Sequence, residues 1–314
     1  MRASKEFFMP IGILAGLATC ALWGLTFVAP RAVEPFSALD LTVARYGIFG
    51  FASFMLMGFK RFRPRGLSGR QVGIGLALGG AGYLGYFISA AYAVRMAGAA
   101  IPPLVIGTMP VLLAVIANLQ NQTLPLRRLA GPLVLIAAGV AIVNLAAFGE
   151  AEAAARGGLL IGLCAAMTAL LIWIAYGMAN AAVMRAPDAP DGLHWTGLQG
   201  LGAGIGSIFL LPFTSFETTA ASGDLGNFLL WSLLMGIAGS WLATWFWVVA
   251  SQRLPLALAA QLITAETLFG LTYGFVFEAR WPSFSETAGS LLQMAGVLMA
   301  ISLFTRKQRE LAVA

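Results

Sequence analysis

The chain has 314 residues, 59% hydrophobic and only 10% charged, with 19 Lys and Arg against 13 Asp and Glu for a formal net charge of +6. A soluble domain carries about 25% charged residues, so that class is excluded, and a mean hydropathy of +0.84 points to the bilayer. Transmembrane strands would alternate apolar and polar residues; runs such as GPLVLIAAGVAIVNLAA do not, so the expected fold class is all-α integral membrane.

A hydrocarbon core needs about 20 apolar residues per helical span. That length fits ten stretches, at 10–30, 38–59, 72–94, 100–119, 129–147, 157–180, 193–213, 228–250, 256–277 and 285–304. The connections are short and leave no room for a soluble domain. The first stretch is longer than the roughly 7–15 apolar residues of a signal peptide and reads as a retained helix. Cys20 and Cys164 both fall within spans, where cysteine behaves as a small hydrophobe.

Residues three and four apart share a helix face, so each span can be read for what it turns to one side. In the first, Trp23 stands with Gly16 and Thr19. The second carries Arg45 in LTVARYGIFGF. A guanidinium at bilayer depth costs on the order of a few kcal/mol. Two readings stand for it: snorkelling to the nearby outer interface, or pairing with Glu266 or a solute carboxylate.

The third span aligns Gly79, Tyr83, Tyr86 and Ala90. The fourth contains Pro110, and a mid-helix proline removes a backbone hydrogen bond and bends the helix. Membrane proteins accept that where a cavity or neighbour satisfies the freed carbonyl, so Pro110 is a candidate hinge, with Thr108 beside it. The sixth aligns Trp173, Tyr176, Gly177 and Asn180; the seventh opens at His194, a solvated boundary residue; the eighth aligns Ser240, Trp241, Thr244, Trp245 and Val248.

The ninth aligns Leu262, Glu266, Phe269 and Tyr273 in QLITAETLFGLTYGF, with Gln261 on another flank. A carboxylate at this depth needs a partner, a proton or a water-filled cavity. Glu266 is therefore a structural acid bonded to a neighbouring helix, a contact for a solute's amino group, or a proton carrier.

Rings beside small and polar residues are what a cavity for a partly apolar solute requires. The expected lining is Trp23, Tyr83, Tyr86, Thr108, Trp173, Tyr176, Trp241, Thr244, Trp245, Glu266 and Tyr273, and the alternative for each ring is ordinary packing. Trp195, Trp231 and Trp281 lie near span ends and read as interfacial belt residues. Tyr92 and Trp247 point away from these stripes.

With the N-terminus inside, 14 basic residues fall on the cytoplasmic side and 4 on the other, counting Arg45 apart. This bias places both termini in the cytoplasm. The basic excess is thus an orientation signal and not a nucleic-acid footprint. Acidic residues, among them Glu34, Asp40, Glu278 and Glu286, gather at the outer mouth.

At an offset of 156 residues the stretch 92–125 lies over 248–281, with Thr108 over Thr264, Pro110 over Glu266 and Gln122 over Glu278. GILAGLATCALWG is echoed by GLLIGLCAAMTAL, which matches Gly12 and Gly16 to Gly158 and Gly162. The repeat divides the chain into two units, 1–150 and 151–314. Five helices per unit is an odd number, so the second unit crosses in the opposite sense. Inverted repeats around a central site are the common plan of secondary transporters.

The sequence also resembles the drug/metabolite transporter superfamily in its EamA-type ten-helix form. The resemblance rests on ALWGLTFVAPR, VARYGIFG, TMPVLLAVIANL with its Pro110, and the ninth-helix repeat followed by Glu278. Gln122 and Glu266 depart from that pattern, which often has an acid and a proline there. Within the superfamily the chain looks most like the YddG-type aromatic amino-acid exporters. The resemblance implies a central site enclosed by the first, third, fourth, sixth, eighth and ninth helices.

The expected function is therefore export of amino acids or related metabolites by alternating access, from a cell (inner) membrane. A multidrug or quaternary-amine carrier is the alternative. No phosphate-cradling G-x-x-x-x-G-K-[ST] loop occurs, and a membrane enzyme lacks a nucleophile–base pair or metal cluster. No ring of repeated polar residues marks a channel. A phosphorylated solute would want several cations at depth, and only Arg45 is available. Expected partners are a small-molecule solute and the lipid bilayer, with no nucleic acid, cofactor or metal; the oligomeric state stays open, a monomer among the choices.

Overall fold

A computed structural model describes residues 2–121, 125–150, 153–184, 186–216, 222–253, 262–263 and 265–313. Gln122 and Gln261 lie outside the described residues. Among the described residues all regular elements are helical: α1 (Arg2–Gly24), α2 (Ala29–Ala32), α3 (Ala38–Leu56), α4 (Gly69–Ala77), α5 (Leu84–Ala97), α6 (Ile101–Ile106) and α7 (Met109–Asn121) come first. After them come α8 (Leu126–Glu150), α9 (Ala153–Met184), α10 (Gly192–Leu210), α11 (Ser222–Leu233), α12 (Ala243–Arg253), α13 (Ala265–Phe277) and α14 (Phe284–Val313).

Eight described segments are long and apolar enough to cross a membrane: Pro10–Phe27, Ala38–Leu56, Gly69–Ala97, Arg127–Gly149, Arg156–Met184, Gly192–Phe213, Gly223–Ala250 and Phe284–Leu303. The expected fourth span is broken into α6 and α7. The expected ninth is seen as α13, because 254–261 and 264 are not described.

Polar caps set several of the starts. Ser37 accepts the Asp40 N–H at 3.0 Å while the Asp40 carboxylate accepts the Ser37 N–H at 2.8 Å, a reciprocal box that satisfies two otherwise orphaned donors. Asp40 also accepts the N–H groups of Ser215 and Phe216, both at 3.1 Å, which ties the chain after α10 to the start of α3. Ser68 and Gln71 repeat the box at α4, and Gln71 reaches the Asp188 carbonyl at 2.9 Å.

Two long helices contain a π-helical turn. Leu78–Tyr83 joins α4 to α5, and Leu234–Leu242 joins α11 to α12. Such turns insert a residue into the helix and rotate the side chains beyond it.

The break in the fourth span needs a different account from the one expected. Gly107 N–H bonds the Pro103 carbonyl at 2.8 Å and Thr108 N–H bonds the Val105 carbonyl at 3.2 Å. The Leu104 carbonyl receives Gln293 Nε2 of α14 at 2.8 Å. A Cβ on Gly107 would strike Thr267 Oγ1 and lie 2.6 Å from the Pro103 carbonyl, so only glycine fits there. Pro110 is not mid-helix: it is the second residue of α7, where an N–H would have no internal partner and its absence costs little.

Packing joins α3 to α10, α8 to α14, α5 to α9, and α1 to both α12 and α13; the first π-helical turn lies on α10 and the second on α3. Glycines let two of these pairs approach backbone to backbone. A Cβ on Gly50 would fall on the Cα of Gly204, and one on Gly139 would fall on the carbonyl of Gly289. The largest core cluster gathers Phe27, Phe36, Tyr46, Phe49 and Phe87, whereas Phe209, Phe213, Leu145 and Val276 are exposed, as suits a surface that meets acyl chains.

At the end where α1, α5 and α13 finish, charges lace the elements together. Arg31 Nη1 bonds Glu278 Oε1 at 2.5 Å, Arg280 Nε bonds Glu278 Oε2 at 2.7 Å, and Arg280 grips Glu286 with both terminal nitrogens at 2.7 Å each. Arg95 donates to the carbonyls of Pro30 and Phe36.

Candidate functional site

A cavity of about 530 Å³ lies between the helices, walled by α1, α3, the two π-helical turns, α5, α9, α10, α12, α13 and the break between α6 and α7. Its size is within the roughly 300–1,000 Å³ of small-molecule pockets.

One wall is aromatic. Trp173 and Tyr176, three residues apart on α9, stack at 4.6 Å with planes 4° apart, and Tyr86 stacks on Trp173 at 4.6 Å. Tyr83 lies parallel to Tyr46 at 6.1 Å. The hydroxyls of Tyr83 and Tyr176 both reach Gln199 Oε1, at 2.8 and 2.7 Å, and stand 3.0 Å from each other. Gln199 Nε2 donates to Asn180 Oδ1 at 3.0 Å, and Trp195 Nε1 donates to the same oxygen at 2.7 Å. These polar groups are satisfied within the wall, which holds the ring planes in place.

Charge lies beside these rings. Arg45 is only 5% exposed; it points inward and does not reach the interface. Its Nε donates to Ser240 Oγ at 3.0 Å, Nη2 to the Gly239 carbonyl at 3.2 Å and Nη1 to Thr26 Oγ1 at 3.4 Å. Ser240 Oγ donates in turn to the Met235 carbonyl at 2.9 Å, five residues back, a spacing the π-helical turn allows. The guanidinium also lies 4.3 Å from the Phe87 ring centre and 5.0 Å from that of Tyr46, a favourable cation–π arrangement.

Glu266, in the first turn of α13, lines the same cavity. Among the described residues no ion pair or hydrogen bond engages its carboxylate, and Arg45 is the charge that acts on it.

Of the expected lining, Trp23, Tyr83, Tyr86, Trp173, Tyr176, Thr244 and Glu266 are brought together around the cavity, with Arg45. Thr108, Trp241, Trp245 and Tyr273 are not part of its wall. Thr108 Oγ1 bonds back to the Val105 carbonyl at 2.8 Å. Trp241 packs against Phe62, Trp245 against Phe246 and Tyr273 against Phe269. On the eighth span Ser240, Thr244 and Val248 face inward at four-residue intervals; Trp241 and Trp245, one residue on, are turned about 100° away.

The cavity also takes in residues for which the sequence pattern suggested other places. Trp195, expected in an interfacial belt, is buried and bonded to Asn180. Trp247, expected to point away, lines the cavity 6.1 Å from Trp23. Tyr46, Phe49 and Gln199 complete the wall. The periodic signal for Gln199 was present, since it lies four residues beyond Trp195 on α10. The third expected belt residue, Trp281, is 91% exposed.

The chain matches the EamA-like transporter family twice, over residues 10–145 and 160–302. It is 30% identical over 305 residues to "Inner membrane protein YtfF" of Escherichia coli (strain K12), covering 92% of this chain and 94% of that protein. A solved structure described as "Crystal structure of protein" is 20% identical and superposes with a TM-score of 0.60, over 93% of this chain and 98% of its own. That similarity speaks to the fold alone. With helices able to cross a membrane several times and two family matches that together span most of its length, the chain is a multi-pass membrane transporter and belongs to the EamA-like transporter family.

Proposed function

We propose that the protein is a secondary carrier that exports amino acids, large apolar and aromatic ones included, by alternating access of one central cavity. The observation that carries this reading is the cavity itself, which gathers stacked rings together with an arginine and a carboxylate that are not paired with each other. A zwitterion with an apolar side chain is complementary to such a surface. The relative's name, an inner membrane protein, supports that location.

In this reading ten spans form two inverted units, 1–150 and 151–314. The twofold family match supports the division. So does the packing: α5 meets α9 as α12 meets α1, the first π-helical turn meets α10 as the second meets α3, and α3–α10 and α8–α14 pair across the halves. Leu78 and Leu234, where the two π-helical turns begin, are separated by the same offset as the sequence repeat. The excess of basic residues at one end puts both termini in the cytoplasm. The cavity lining runs to Met184, Gly192 and Val248 toward that end, while Arg31–Glu278 ties the other. On this reading the structure is a state open to the cytoplasm, with the break at Gly107, just ahead of Pro110, as the hinge that closes it.

Glu266 is the group that receives the solute's ammonium or a proton. Counterflow in proteoliposomes, with labelled amino acids and amines and with or without a pH gradient, tests the reading. Selective exchange of large apolar amino acids is expected, and Glu266→Gln is expected to abolish the response to the gradient. Unchanged rate and pH dependence in that variant would remove Glu266 from the mechanism. The ring cluster also fits a quaternary ammonium ion, so exchange of cationic dyes alone would favour a multidrug or quaternary-amine carrier.

A further inference from the structure

Arg45 and Gln199 occupy matching places in the two halves. The helices α3 and α10 cross at Gly50 and Gly204, and Gln199 stands as many residues before Gly204 as Arg45 does before Gly50. Each also presents its backbone carbonyl to a glycine of a neighbouring π-helical turn. A Cβ on Gly236 would lie 2.9 Å from the Arg45 carbonyl, and one on Gly79 would strike the Gln199 carbonyl. The fold thus places one long polar side chain in the cavity from each half, at equivalent points of a single crossing.

Their chemistry differs. The Gln199 amide is engaged by the wall: Oε1 accepts from two tyrosine hydroxyls and Nε2 donates to Asn180. Arg45 has five N–H donors to place, and the structure engages three of them, all with uncharged oxygens, one at 3.4 Å. Among the described residues no carboxylate lies within the 4.0 Å of an ion pair. A buried cation that is solvated only by neutral groups is incompletely compensated, and the fork of a guanidinium matches a carboxylate with two parallel bonds.

We infer that Arg45 is the specificity-determining residue that reads the solute's carboxylate, an inference that rests on the amino-acid reading above. Gln199 is its neutral counterpart and fixes the aromatic wall against which the solute's side chain lies. The carrier then distinguishes α-amino acids from their amides, which share every other feature.

The test is binding of L-phenylalanine and L-phenylalaninamide to the purified full-length protein in nanodiscs. Wild type is expected to prefer the acid by about tenfold or more, the difference of one charge-assisted bidentate contact. Arg45→Gln is expected to bring the ratio close to one while the amide's affinity stays within about threefold; Arg45→Lys, which keeps the charge, is expected to retain part of the preference. A strut that only holds α1, α3 and the second π-helical turn together would weaken both ligands alike and leave the ratio unchanged, which overturns the assignment. Equal wild-type affinity for acid and amide overturns it without any variant. Failure of wild type to bind either compound, in a preparation that exchanges cationic dyes, removes the amino-acid reading and this inference with it.

Discussion

Gly50→Ala is expected to loosen the α3–α10 crossing, and Gly47→Ala, less than one turn away on the same helix, is its matched control. In a helix interior alanine is favoured over glycine by about 0.8–1 kcal/mol, and that gain is common to both variants. A Cβ on Gly47 meets nothing within 4 Å, so there the gain stands alone. A Cβ on Gly50 falls on the Gly204 Cα, 2.9 Å from the Gly204 nitrogen and 3.2 Å from the Gly200 carbonyl. These are backbone atoms of a regular helix, with no side chain that can rotate aside. The helices must separate, which also pulls Gly200 from Ser53 and the first π-helical turn from Gln199. Overpacking of this kind costs roughly 1–3 kcal/mol, and the difference between the two variants isolates that cost. Unfolding in mixed micelles by SDS titration, followed by tryptophan fluorescence, measures it. Gly204→Ala is expected to behave like Gly50→Ala, and the double variant to lose less than the sum, because one separation accommodates both methyl groups. Equal stability of Gly50→Ala and Gly47→Ala would refute the backbone-to-backbone crossing.

Two further outcomes concern the ends of the bundle and the broken span. Glu278→Gln removes the negative charge shared by Arg31 and Arg280 and leaves one acceptor oxygen for the two of them; because the Arg31 and Arg280 side chains are 35% and 39% exposed, the loss is expected to be small, about 0.2–1 kcal/mol. It is expected to be larger at low salt than at high salt in thermal unfolding, and a salt-independent loss would contradict the ion-pair account. Gln293→Leu leaves the Leu104 carbonyl without its partner but also removes Gln293 Oε1, which has none, for an expected net cost of about 1–2 kcal/mol. Hydrogen exchange should quicken around Gly107 and Thr108, and an unchanged profile there would show that α14 does not splint the break.

The sequence by itself carried the membrane class, the positions of eight apolar helices and two charges set within apolar stretches. Each of these is a local quantity: hydropathy is summed along one stretch, and a lone Arg45 or Glu266 stands out against any apolar background. Facing was less legible. Tyr83, Tyr86, Trp173 and Tyr176 were identified as one surface because rings and small residues alternate there at helical spacing. Trp241 and Trp245 differ from the lining by a single residue's rotation, and the pattern sends Trp195 to an interfacial belt and Trp247 away from the stripes although both line the cavity. In a soluble helix the water-exposed face would be polar and the error visible. In lipid, the face that packs and the face that meets acyl chains are both apolar, so the pattern of residues does not say which is which. The π-helical turns, the break at Gly107 and the neutral cradle around Arg45 arise from contacts between distant segments. Only tertiary packing, which brings Ser240 and Gly239 to Arg45, Gln199 to Tyr83 and Gln293 to Leu104, decided where the cavity lies and what faces it.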